Sequence, residues 1–164
     1  MDVVDRSSHS TTLTGWREWV SLPDVGVPWI KAKIDTGARS SSLHAQHIRE
    51  FDRDGEPWVR FDVRPWQGAH ELVPVELPVF DRRDVRSSSG HAQRRVVVLL
   101  DLLLVGRRVT AEVTLSNRTE MGFRMLIGRE ALRQGFVIDP ARSFLGGKAP
   151  KDFRRRNRGA APVA

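Results

Sequence analysis

The sequence predicts an all-β domain, built as a barrel or a sandwich. Three observations carry that prediction. Short apolar or alternating runs recur from residue 16 to residue 138, turn residues interrupt them every few positions, and one convincing helix can be drawn. The elements follow in order. Residues 1–14 read as a flexible lead. Runs 16–21 and 29–34 are rich in β-formers and are separated by Pro23, Asp24 and Gly26. Residues 58–63 alternate, with Trp58, Arg60 and Asp62 on one side and Val59, Phe61 and Val63 on the other. Residues 72–80 contain Pro74 and Pro78, which confine them to an edge or a bent strand. Runs 94–105 and 109–115 flank Gly106-Arg107-Arg108, the spacing of a tight hairpin. Residues 125–127 form a short buried run. The helix is expected over 129–134, stopped by Gly135, and a last strand at 136–138 is halted by Asp139-Pro140. A weaker helix or turn is expected over 42–48. There is no repeat of 20–50 residues and no linker long enough to divide the core.

The 164 residues suffice for one domain with tails. Cysteine is absent, which excludes a disulfide scaffold, an iron–sulfur protein, a thiolate zinc site and a catalytic thiol. The longest apolar run, residues 96–105, is broken by Asp101 and is too short to span a bilayer. The first dozen residues are polar, with no apolar signal core, so a cytoplasmic location and no membrane partner are expected. The formal net charge is +7, and residues 148–158 hold six basic residues against one acid. The basic excess therefore sits mainly in residues 148–164, expected to be a disordered tail. Of the 27 basic residues, 23 are arginine, the side chain suited to bidentate carboxylate or phosphate binding.

One segment points to chemistry. The alternating run Ile30-Lys31-Ala32-Lys33-Ile34 leads straight into Asp35-Thr36-Gly37-Ala38. A carboxylate at a strand end, followed by threonine and glycine, sits in a tight turn. The glycine lets the backbone fold close and donate amide hydrogens to it, and the threonine hydroxyl can lock the turn from the side. An Asx-type turn that merely ends a strand would look the same. A second segment, Met125-Leu126-Ile127-Gly128-Arg129-Glu130-Ala131-Leu132, is an apolar run, a glycine and a short helix.

In order along the chain stand Gly15-Trp16-Arg17-Glu18-Trp19, residues 31–44 (KAKIDTGARSSSLH), Asp81-Arg82-Arg83, residues 87–90, residues 123–132 (FRMLIGREAL) and Val137-Ile138-Asp139-Pro140. This ordered set resembles the retroviral-type aspartic proteases. It is closer still to a bacterial and archaeal family, the RimK-associated retropepsin-like proteins, often labelled ATP-dependent zinc proteases. The resemblance covers about residues 15–147, and the implied division is a lead at 1–14, a protease domain at 15–147 and the tail at 148–164. It implies a closed acid-protease barrel with one short C-terminal helix, with Asp35 as the catalytic acid and base, Thr36, Gly37 and Ala38 forming the active-site turn, and Gly128 as a structural glycine where two chain segments cross closely.

The zinc and ATP of that label find no support in the residues. His70-Glu71 is followed by no second histidine at metalloprotease spacing, His44 and His47 lack a completing ligand, and no phosphate-binding glycine loop ends in Lys-Ser or Lys-Thr. No cofactor and no metal are therefore expected. An aspartic protease needs two carboxylates about one water. No second Asp followed by Thr-Gly or Ser-Gly occurs here, so the site is expected to form between two copies of the chain, with Thr36 of each bracing the interface. A flap is expected from arms at about 75–86 and 91–98, with Ser87, Ser88, Ser89 and Gly90 at its tip. Arg39, Arg82, Arg83, Arg86 and Arg94 are the expected substrate-binding residues, joined in the same segment by Arg95. Together they would select acidic side chains, as in an oligoglutamate peptide or protein tail. The alternative is that these arginines face solvent or pair with Asp81, Asp84 and Glu71. A non-catalytic dimeric barrel that binds acidic peptides or a protein partner is the rival function. Nucleic-acid binding rests on Arg154-Arg155-Arg156 alone and is not expected.

Overall fold

Alternation between apolar and polar residues builds a nine-stranded sheet whose buried side chains converge on one core. The structure is a computed structural model, described for residues 10–65, 72–86, 90–117 and 122–157. Its strands are β1 (Thr12–Gly15), β2 (Arg17–Leu22), β3 (Val27–Ile34), β4 (Ser41–Arg53), β5 (Glu56–Val63), β6 (Val73–Pro78), β7 (Asp81–Arg86), β8 (Ala92–Leu104), β9 (Arg107–Ser116), β10 (Met125–Ile127) and β11 (Phe136–Asp139). Two short helices follow, α1 (Arg129–Leu132) and α2 (Lys151–Asn157).

The ring closes through six strands. β10 pairs β3, β3 pairs β2, β2 pairs β8, β8 pairs β9, β9 pairs β4, and β4 returns to β10. β10 is only three residues long, yet it is wedged parallel to β3 and antiparallel to β4, which makes it the keystone of the closure. Inside lie Ile30, Ala32, Leu43, Leu100, Leu102, Val113, Leu115, Met125 and Ile127, all essentially buried. Each Ile, Leu, Val or Met side chain so buried contributes about 1.5–3 kcal/mol relative to exposure.

β4 and β8 are both thirteen residues long and serve two structures each. The first residues of β4 belong to the ring, and from Ala45 onward it pairs β5. β8 pairs β7 over Ala92–Val97 and β9 over Val97–Leu104. Two hairpins thus project from the ring on extensions of ring strands. Among the described residues β6 pairs only β5, so Pro74 and Pro78 do lie on an edge.

Several expectations change. The stretch 42–48 is strand, not helix, because its backbone finds β9, β10 and β5 as partners and that pairing outweighs local propensity. The β8–β9 turn is centred on Val105-Gly106, both at positive φ (48° and 74°), one residue earlier than expected. Thr12–Gly15, expected within the lead, are a strand that pairs in parallel with Phe136–Asp139, and residues 1–9 lie outside the described residues. The tail is not wholly irregular: Ala149 is buried and Lys151–Asn157 are helical, giving two helices where one was expected. The hairpin expected to form the flap has its first arm at Asp81–Arg86 rather than from about 75, because Val73–Pro78 are engaged by β5. Among the described residues no helix is long and apolar enough to cross a membrane.

Candidate active site

Asp35 stands where β3 leaves the sheet, and β10 ends beside it. Its own N–H donates to Ile127 O (2.9 Å), which extends the β3–β10 ladder by one step and fixes the residue at the ring's rim. Gly37 N–H donates to the Asp35 Oδ1 at 3.0 Å. A Cβ at Gly37 would sit 3.2 Å from that same oxygen, tighter than ordinary contact, so glycine keeps the amide free to approach.

The loop after the turn is held from the other side by the start of α1. Arg129 N–H donates to Ala38 O and Glu130 N–H to Arg39 O, each at 2.9 Å. Arg129 Nη1 reaches Thr36 O at 2.8 Å, and Gly128 N–H donates to the buried Ser41 Oγ at 3.1 Å. Gly128 makes this clasp sterically feasible: a Cβ there would lie 2.5 Å from Ser40 O and 2.9 Å from Ala38 O. The donors of the first helical turn, which lack partners within a helix, are thus spent on the loop that carries the carboxylate.

A cavity of about 380 Å³ opens between this loop and the β7–β8 hairpin. Ala38, Arg39 and Ser40 form one side, Arg83, Arg86 and Arg95 come from the hairpin, and Ser42, Thr114 and Leu126 make the floor. Arg39 and three hairpin arginines therefore share one space. The other two do not. Arg82 and Arg94 line a separate cavity with Glu50, and Arg82 is bound to Glu50 through Nε (2.8 Å) and Nη2 (2.6 Å). Arg83 lines the first cavity but is already paired, with Glu112 at 3.0 Å and Asp81 at 2.8 Å. The Glu112 carboxylate, helped by Asp81, holds Arg83 above the ordinary arginine range. The pairing alternative is thus realised for Arg82 and Arg83, with Glu50 and Glu112 as acids that sequence spacing did not suggest. Gly90 is exposed with φ 84°. Ser87, Ser88 and Ser89 lie outside the described residues.

A relay joins the hairpin to the Asp35 loop. Arg83 binds the Glu112 carboxylate, Glu112 N–H donates to Glu130 Oε2 at 3.0 Å, and Glu130 N–H donates to Arg39 O. Arg129 and Glu130 were visible in the sequence only as part of a helix, since their roles come from which loop that helix meets. Glu18 was equally hidden. It is fully buried, and its carboxylate accepts Gly15 N–H (2.7 Å), Gly146 N–H (3.0 Å) and Leu145 N–H (3.1 Å). It ties β1 to the chain that follows β11, and Trp16 O next to it accepts Ile34 N–H, one residue before Asp35.

No helix brings His44 and His47 to one face. His44 is buried in β4, whereas His47, at φ 54°, is exposed and bonded to Asp62 at 2.8 Å. Among the described residues no three potential metal ligands gather.

A family model, described as the retropepsin-like aspartic endopeptidase RimB, matches residues 13–149. The chain belongs to the RimB-like family. With that membership the six-stranded ring, its rim carboxylate and the close crossing at Gly128 are those of a retropepsin-like barrel. Similar sequences include a protein named probable alpha-L-glutamate ligase from Shewanella pealeana, 44% identical over 142 residues. They also include proteins of the same name from Desulfotalea psychrophila (44% over 141 residues) and Parasynechococcus marenigrum (43% over 141 residues). The matched part is 86% of this chain and 31% of the Shewanella protein, so the chain spans about a third of the length of these curated relatives. A RimB-like chain of this size also resembles a solved structure, a Legionella pneumophila protein of unknown function (DUF785). The two share 31% identity with a TM-score of 0.70, over 84% of this chain and 99% of that one.

Proposed function

We propose that this RimB-like protein is a homodimeric aspartic peptidase that hydrolyses peptide bonds in acidic, oligoglutamate-type peptides or protein tails. The observation that carries the proposal is the Asp35 turn at the ring's rim, gripped by α1, with the arginine-lined cavity opening directly after it. Two Asp35 carboxylates, one from each copy, would share a single proton across a two-fold axis, since like charges at close range cannot both ionise. The ionised one takes a proton from the water between them, and the protonated one donates to the carbonyl oxygen of the scissile bond. Thr36, in the same turn, braces the pair where the copies meet. Arg39, Arg86 and Arg95 face the substrate's carboxylates, while Arg83 stays with its own acids. The relatives named for glutamate ligation support the choice of substrate, because a domain sharing a chain with a glutamate ligase would meet glutamate-rich tails.

Incubation of the chain and its Asp35→Asn variant with a hexaglutamate-tailed peptide, read by mass spectrometry, tests the proposal. Cleavage by the parent alone is expected, together with a dimer mass in solution. Equal cleavage by Asp35→Asn refutes the mechanism. Tight binding with no cleavage by either form turns the reading to a non-catalytic acidic-peptide module.

A further inference from the structure

Arg124 stands just before β10 and is only 7% exposed. Among the described residues, neither its Nε nor its Nη1 meets a hydrogen-bond partner. A guanidinium keeps its charge at any ordinary pH and presents five donors, so burying it with two of its three nitrogens unpartnered is a costly placement. The charged group that perturbs it is another cation. Arg64 follows β5, and its Nε is likewise buried without a partner. Burial first, and the charge of Arg64 second, draw the Arg124 pKa below the ordinary arginine range, opposite to what a neighbouring carboxylate would do.

The place of Arg124 follows from strand register. Leu126 sits opposite Ser42, and Ser42 opposite Thr114; these three floor the Arg39 cavity. Two residues further along each strand come Arg124, His44 and Ser116, with His44 opposite Ser116 and His44 N–H donating to Arg124 O. Side chains two apart on a strand share a face. The buried polar residues His44 and Ser116, with Arg124 just before β10, therefore lie one strand repeat, about 6.6–7 Å, beyond Ser42, Thr114 and Leu126 of the cavity lining. An extended peptide repeats its own same-face side chains at that interval.

We infer that Arg124 and Arg64 form a carboxylate-binding site, one strand repeat beyond the Arg39 cavity, which receives a second acidic side chain of an extended substrate. The peptide identity of the ligand rests on the proposed function; the anion site rests on the two guanidiniums alone. A glutamyl side chain carries its carboxylate on two methylenes, long enough to reach a recessed fork, and paired N–H···O bonds to both arginines would discharge the buried donors.

Thermal unfolding of the full chain in chloride, glutarate or phosphate at matched ionic strength tests the site without any turnover. Glutarate is expected to raise the melting temperature of the parent. Arg124→Met is expected to remove most of that rise, leaving only what the Arg39 cavity contributes, while melting no lower than the parent in chloride, because an apolar side chain of similar length replaces a buried guanidinium with two unpartnered nitrogens. Arg64→Met should shrink the rise as well, which keeps the test open if Arg124→Met folds poorly. A rise undiminished in both variants overturns the site. Protection by phosphate with none by glutarate overturns its assignment to carboxylates. A second arm measures binding of di-, tetra- and hexaglutamate to the chain in an Asp35→Asn background. Affinity is expected to climb about tenfold or more between di- and tetraglutamate, and Arg124→Met should remove that climb, weakening tetraglutamate binding far more than diglutamate binding. An undiminished climb overturns the inference. Glutarate protection that depends on Arg124, with no peptide bound at any length, supports the carboxylate site and sinks the acidic-substrate function instead.

Discussion

Gly128→Ala probes the clasp on which the Asp35 loop depends. The backbone at Gly128 has φ −95° and ψ 179°, open to any residue, so alanine meets no torsional objection there. The objection is steric. The new methyl would lie 2.5 Å from Ser40 O, 2.6 Å from Ser40 C and 2.9 Å from Ala38 O, all backbone atoms with no rotamer to yield. Relief requires the loop and β10 to part by about 1 Å. Overpacking of that size costs about 1–3 kcal/mol. The same movement strains the Arg129 N–H to Ala38 O and Glu130 N–H to Arg39 O bonds, each with a net value of about 1 kcal/mol. A total loss of about 2–4 kcal/mol is expected by urea unfolding, a large part of the stability of a domain this size. Hydrogen exchange at the Arg129 and Glu130 amides should accelerate along with it, and the proposed peptidase activity should be lost. An alanine variant within about 0.5 kcal/mol of the parent, with both amides still protected, would refute the reasoning.

Three further outcomes are expected. Glu18→Gln leaves one amide oxygen facing three backbone N–H groups and turns an NH₂ toward them, so a loss of about 2–3 kcal/mol should appear in urea unfolding. Val105→Asn places a residue that tolerates left-handed backbone at φ 48°, and the gain of up to about 1 kcal/mol should show as a higher urea midpoint. The carboxyl of Asp101 is held below the usual carboxylate range, first by the Thr110 hydroxyl at 2.5 Å and then by Arg108. A depressed folded-state pKa means stability that is present above the unfolded value of about 3.9 and lost as pH falls through the folded one. Thr110→Val should therefore flatten the fall in melting temperature below about pH 4, and an unchanged acid limb would contradict the assignment.

Much of the fold was legible because burial here follows strand alternation closely. Val59, Phe61 and Val63 face inward as their spacing required, and the prolines of β6 marked an edge. The stretch 42–48 misled because Ser42, Leu43 and His44 take their conformation from two partner strands, β9 and β10, that lie more than 70 residues away. The turn residues around Asp35 could be read locally, since a carboxylate and a glycine two positions later meet through one hydrogen bond. The arginines could not be sorted locally. Their segment was plain, but whether each met Glu50, Glu112 or an open cavity depended on β4 and β9. Arg124 lay inside a motif already noticed, and nothing short of the burial of its guanidinium distinguishes it from a surface arginine.

Glu18 joins residues from both extremities of the matched segment, Gly15 near its start and Leu145 and Gly146 near its finish. Polypeptide arriving at the barrel and polypeptide departing from it consequently pass through one corner, secured by one side chain. Such a module can be spliced into a larger protein, or hung from either flank of it, without rearranging its interior.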